Sequence, residues 1–226
     1  MKSFTYILFP LFFLALAANA QDETNTPDGD EYVNYRQHNT FRLLEHPRTQ
    51  TGIHGVTTPF MKQQSFGASV DMQTWYTEDL SVGLSFTITG RKVTPSFGYA
   101  IGQPLLTYYD ISLFNEFKVQ QWGRLQAAVR LYTGFAAFHL ADNSIQVPYT
   151  WYDENGFAYE GERALSIDNN YFMRVAPAFV LRYSITPGIQ IEGSAAYNFF
   201  IGNAHFGSSK DFNNYMAQLG VRVDIN

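Results

Sequence analysis

The side chains able to do acid–base or ion-pair chemistry fall into one pattern. Asp71, Glu116, Lys118, Arg124, Arg130, Arg174, Arg182, Glu192, Arg222 and Asp224 each occupy one parity of a run whose other parity is apolar. Carboxylates and guanidiniums gathered on one face of an extended chain either neutralise one another or line a path for protons or ions. A buried charge without a partner costs several kcal/mol, so a self-neutralising network is the expectation and a gated path the alternative.

Nucleophilic and metal chemistry find less support. The five histidines, His38, His46, His54, His139 and His205, form no His-Glu-x-x-His pattern, so no metal and no cofactor is expected. His205 with Ser208 or Ser209 and Asp211 would supply a base, a nucleophile and an orienting acid, but Gly, Ser and Asn are also what an exposed loop contains. There is no Gly-x-Ser-x-Gly elbow and no glycine-rich phosphate loop before a helix, and no enzymatic activity is expected. The absence of cysteine removes disulfides, thiolate metal sites and thiol nucleophiles.

The elements that must hold these groups are strands. From Gln63 onward, seven blocks repeat apolar residues at every second position. Their apolar parity includes Leu80, Val82, Leu84, Phe86 and Ile88, then Val129 and Leu131, then Val175, Phe179 and Leu181, then Leu219, Val221 and Val223. No Asp, Glu, Lys or Arg stands on that parity in any of the blocks. The other parity is rich in small residues, among them Gly67, Ser69, Gly83, Ser85, Ala128, Gly134, Ala176 and Gly220. Small residues suit the crowded inside of a narrow cylinder, where a few long charged side chains cross between them. The apolar parity is therefore expected to face lipid.

Block length agrees with this, because a membrane-crossing strand needs about 9 to 11 residues. Aromatics collect at block ends, where Trp75, Tyr76, Tyr109, Trp122, Tyr171, Tyr183 and Phe199 are expected to form two interfacial girdles. Connections alternate between tight ones (76–79, 120–123, 184–188) and long ones (90–107, 139–170, 201–213), the polarity of an outer-membrane barrel. Closure calls for an even number of strands. The missing one is expected within Tyr32–Phe60, either at Thr40–Leu44 or around Ile53–Val56; Val93–Ile101 could instead be a strand, which leaves the count between eight and ten.

The first residues read as an address. Lys2, the apolar run Phe4–Ala17 and Ala18-Asn19-Ala20 predict a signal peptide over 1–20, cleaved after Ala20. An acidic segment over 21–31 is expected to be disordered, and a barrel domain to span 32–226. No later apolar run reaches the roughly 18 residues of a helical span. With 15 basic against 20 acidic residues, the net charge of -5 argues against nucleic acid as a partner.

At Trp75–Leu84, Tyr183–Gly193 and Leu219–Val223 the chain resembles the small outer-membrane barrels of the OmpA/OmpX type, and the porin-like barrel proteins common in Bacteroidota-type bacteria. The resemblance covers about residues 63–226. It implies an all-β, antiparallel, up-and-down transmembrane β-barrel of eight strands, or alternatively ten, in the cell envelope of a Gram-negative bacterium. The expected role is structural or surface-binding, with a narrow ion or small-solute channel, and then a lipid-modifying enzyme, as alternatives. Its implied partners are outer-membrane lipids, lipopolysaccharide and the outer-membrane assembly machinery. Within the longest connection, Trp151, Tyr152, Phe157 and Tyr159 flank Asn155-Gly156, a hairpin signal, and stand beside Asp153, Glu154, Glu160 and Glu162. They are the candidates for contact with a sugar, a peptide, a divalent cation or lipopolysaccharide headgroups.

Overall fold

The computed structural model describes residues 44, 47–60, 63–94 and 97–225. The expected signal peptide, the acidic segment and the candidate strand at Thr40–Leu44, Leu44 excepted, lie outside them. Eight strands are formed: β1 (Arg48–Phe60), β2 (Gln63–Trp75), β3 (Leu80–Lys92), β4 (Pro104–Trp122), β5 (Leu125–Tyr152), β6 (Ala158–Thr186), β7 (Ile189–Ile201) and β8 (Asn214–Ile225). A single turn of helix, α1 (Ser209–Phe212), precedes the last. Every strand pairs antiparallel with its neighbours in chain order, and β1 pairs with β8 to close the ring.

The strand that completes the ring is β1, which contains Ile53–Val56. Its outward positions, Thr49, Thr51, Ile53, Gly55, Thr57 and Pro59, are mostly not aliphatic, so its alternation is faint in the sequence. The described residues of Val93–Ile101 form no strand, which corrects the ten-strand alternative. Phe97 and Gly98 take positive φ (55° and 87°) and turn this connection inward, so that Val93, Phe97, Tyr99 and Ile101 pack on an apolar cluster inside the barrel.

The connection expected over 139–170 is largely strand. β5 and β6 stay paired through Asp142↔Leu165, pass an irregularity at 143–145, and continue from Gln146↔Ala164 to Tyr152↔Ala158. These two strands thus run on past Pro104, where β4 begins opposite Asp142, as a two-stranded ribbon. The ribbon's tip is Asp153–Phe157. There the Asp153 carboxylate accepts from the Asn155 and Phe157 N–H groups, and Gly156 supplies a positive φ.

The barrel therefore has a short-turn end, with connections at 76–79, 123–124 and 187–188, and an opposite end bearing the loops 93–103 and 202–213 and the ribbon. All thirteen residues expected to face lipid point outward. Leu84, Phe86, Ile88, Val129, Phe179, Leu181, Leu219, Val221 and Val223 are exposed, while Leu80, Val82, Leu131 and Val175 are half-buried among outward neighbours.

Candidate functional site

The inward parity brings the charged residues of distant strands to one level. Glu116 of β4 and Glu192 of β7 form its centre. Glu116 accepts from Arg130 Nε (2.7 Å) and Arg182 Nη2 (2.6 Å), and Glu192 accepts from Arg182 Nε (2.6 Å) and Arg222 Nε (2.9 Å). Arg130 also approaches Glu192 (3.2 Å), and Arg222 reaches on to Asp71 (2.7 Å). Three carboxylates face three guanidiniums, all buried, so the network is balanced within itself. Nearer the long loops, Arg174 pairs with Asp110 (2.7 Å) and donates to Asn198 (2.9 Å). Asn198 in turn donates to Asn214 (2.7 Å). Aromatic faces complete the guanidinium environment, with Arg130 4.4 Å from the Phe114 ring centre and Arg174 4.9 Å from that of Tyr132.

Two members of this interior are not among the sequence candidates for it. Asp110 shares its parity with Ser112, Phe114 and Glu116, so alternation alone assigns it to the inside. His54 lies in a slot left by glycines: a Cβ on Gly52 would sit 2.6 Å from its ring and one on Gly220 2.5 Å from it. Its Nδ1 is 3.5 Å from Asp71 and its Nε2 3.4 Å from Glu192. These three side chains offer ligand atoms within 4.8 Å of one another. Arg222 already occupies both carboxylates, so a divalent cation there would face guanidinium charge at contact distance.

Two residues placed by sequence in the lumen stand at its rim. Lys118 turns to Asp79 of the adjoining turn (2.9 Å), because β4 carries a bulge directly after it. Asp224 pairs with Arg48 at the mouth and touches the interior through Gln50 (2.7 Å). The girdle needs one correction. Trp75 points inward and is buried, its Nε1 donating to Gln50 (3.0 Å), since the inward parity of β2 runs unbroken to its last residue. Tyr76, Trp122 and Tyr183 lie outward near the short turns, and Tyr109, Tyr171 and Phe199 lie outward toward the long loops.

Above the ionic level the interior changes character. Phe60, Leu106, Tyr108, Phe138, Leu140, Phe172, Phe200, Phe206 and Phe212 fill the long-loop end. Phe138 is the hub, with ring centres of Phe212 at 4.4 Å, Tyr108 at 5.0 Å, Phe60 at 5.1 Å and Phe200 at 5.2 Å. The signal for this layer is present where both parities turn aromatic together, at Tyr108-Tyr109, Tyr171-Phe172 and Phe199-Phe200.

Outside the barrel, Trp151 stacks between Tyr149 and Tyr159, 5.4 Å from each, and Arg163 lies 5.7 Å from the Tyr149 ring centre. Tyr152 and Phe157 stand apart from this stack and are strongly exposed. Asp142 ties the ribbon's base to the 93–103 loop by accepting from the Ser144 hydroxyl and from the N–H groups of Gly102, Ser144 and Gln103. The Ser144 hydroxyl first, then those amides, hold its carboxyl well below the usual carboxylate range. Tyr99 donates to Asp168 (2.5 Å), which raises the phenol and lowers the carboxyl. The triad considered from sequence is not assembled: His205 faces Asp168 (3.5 Å), whereas Ser208 donates to Asp211 (2.8 Å) within the cap of α1.

No protein-family model and no curated protein matches the chain. Among solved structures it is similar to Neisserial surface protein A, with a TM-score of 0.51 at 13% identity over 79% of this chain and 97% of that one. It is likewise similar to a major outer membrane protein of Thermus thermophilus, with a TM-score of 0.51 at 9% identity over 78% and 99% of the two chains. At these identities the likeness is one of fold, and the chain folds as an eight-stranded antiparallel barrel of the outer-membrane kind.

Proposed function

We propose that this protein is an integral outer-membrane barrel that works through its surface, as a structural or binding element, and not through its lumen. The observation that carries this reading is the double closure of the interior, ionic at the level of Glu116 and Glu192 and aromatic around Phe138. Two dissimilar layers would both have to open for ions to pass, which speaks against the channel alternative. The outward face supports a lipid environment, since it presents aliphatic side chains without charge between two sets of aromatics. Residues 1–20 would then be the signal peptide, cleaved after Ala20, 21–31 an acidic lead-in and 32–226 the barrel domain. The assembly machinery would deliver the chain to a membrane containing lipopolysaccharide, above which the ribbon presents Trp151, Tyr152, Phe157 and Tyr159.

Planar-bilayer recording of the purified protein tests the closure. No steady current is expected, and a stable open conductance would overturn the reading. An enzyme of the envelope would change lipid A, so an identical lipid A mass spectrum is expected from cells with and without the protein.

A further inference from the structure

The outer wall carries a groove that neither the sealed interior nor the ribbon accounts for. In the row Tyr109–Ala137–Tyr171, across β4, β5 and β6, a methyl group lies between two phenol rings. The next row toward the short turns is Ile111–Phe135–Met173. Together they enclose an apolar notch of about 390 Å³ with Ala137 in it. One row toward the long loops, polar groups take over at Thr107, His139 and Asn169, where His139 Nδ1 donates to Asn169 Oδ1 (2.7 Å) and leaves Nε2 for another partner. Lys92, exposed and outward on β3 opposite Leu105, stands near the same rim. Along the outward positions of β3 to β6, from the short turns up to this level, there is no Asp or Glu.

Apolar notch, neutral hydrogen-bonding groups and the Lys92 ammonium follow one another along the wall in the order of an amphiphile's tail, ester region and anionic head. We propose that this groove binds a lipid A-type glycolipid, with one acyl chain against Ala137 and its phosphates on Lys92 and on His139 Nε2; this rests on the membrane-spanning reading above. Lys92 and His139 lie two strands apart across the sheet and two residues apart along it, roughly 12 Å at the usual strand dimensions. A single phosphodiester reaches one of them, whereas a headgroup with a phosphate at each end reaches both through charge-assisted hydrogen bonds.

The test compares full-length wild type with Ala137→Phe, with Lys92→Gln/His139→Gln, and with Ala217→Phe, which makes the same enlargement at an exposed outward position of β8. Each is refolded into phosphatidylcholine vesicles containing bisphosphorylated lipid A, monophosphorylated lipid A or phosphatidylglycerol. Heat-modifiable gel mobility reports folding, and native mass spectrometry reports retained lipid. Wild type and Ala217→Phe are expected to retain bisphosphorylated lipid A about tenfold more than either other lipid, a difference of about 1.4 kcal/mol. Both groove variants are expected to lose that preference. Equal retention of the three lipids by folded wild type overturns the groove and leaves the membrane reading standing. So does unchanged preference in folded Lys92→Gln/His139→Gln, which leaves the apolar notch intact, or a mass showing a second protein copy in place of lipid. Failure of every protein, wild type included, to fold in vesicles overturns the membrane reading and the groove with it.

Discussion

The two halves of the barrel interior are built on the same inward parity of the same strands, yet they are held by different forces. Toward the short turns, Glu116 and Glu192 are shared among Arg130, Arg182 and Arg222, and Arg222 also holds Asp71, so every charge but that of Asp71 depends on several partners. Toward the long loops, rings pack around Phe138 with no charge among them. The contrast shows that inward parity specifies only that a position is enclosed. What fills it depends on its height in the cylinder: the 93–103 and 202–213 loops fold apolar side chains, Phe97 and Phe206 among them, into one end, while the other end stays near a polar mouth lined by Gln50, Gln126 and Gln190.

That contrast makes the first substitution the most damaging. Glu192→Leu leaves three guanidiniums short of an acceptor and is expected to cost about 5 kcal/mol in a urea refolding titration in lipid vesicles. Removing both members of the isolated pair, with Asp110→Leu and Arg174→Met together, is expected to stay within about 1 kcal/mol of wild type, because no charge is stranded. A large loss in the double variant would mean that the ion pair itself, and not its balance, stabilises the layer. In the aromatic half, Phe138→Ala is expected to cost about 4 kcal/mol, as a cavity where five rings converge. Phe138→Leu should recover much of that loss, whereas Glu192→Gln should recover little of the ionic one.

On the outer face, Leu84→Arg places a charge midway along β3 and is expected to cost roughly 2 to 4 kcal/mol if that position lies near the bilayer midplane. An unchanged titration would count against a lipid environment. The smallest effect concerns the ribbon base. Since the folded Asp142 carboxyl is lowered, its contribution is present above the ordinary carboxylate range and is lost as pH falls through the folded value. Hydrogen exchange of the Gly102, Gln103 and Ser144 amides, compared with Asp142→Asn at the same pH, should therefore show protection near neutrality that weakens only in strong acid. Loss of protection already at mild acidity would contradict the hydrogen-bond cage around Asp142.

Much of this molecule is legible in its sequence because alternation is local. Period two in β2 to β8 and the segregation of charge onto one parity follow from neighbouring residues alone, as does the Asn155-Gly156 turn. β1 is faint for the same reason: Thr and Gly on its outward face erase the contrast, and only its pairing with both β2 and β8 makes it a strand. Trp75 is misplaced by sequence because a ring at a strand end suits either face, and only the register turns it toward Gln50. Partner choice is out of reach altogether. Arg174 meets Asp110 from 64 residues away, Arg222 meets Asp71 from 151, and His54 fits its slot only because Gly220 lies opposite. Which inward side chains share a level depends on how far each strand is staggered against the next, and that stagger exists only once all eight have closed.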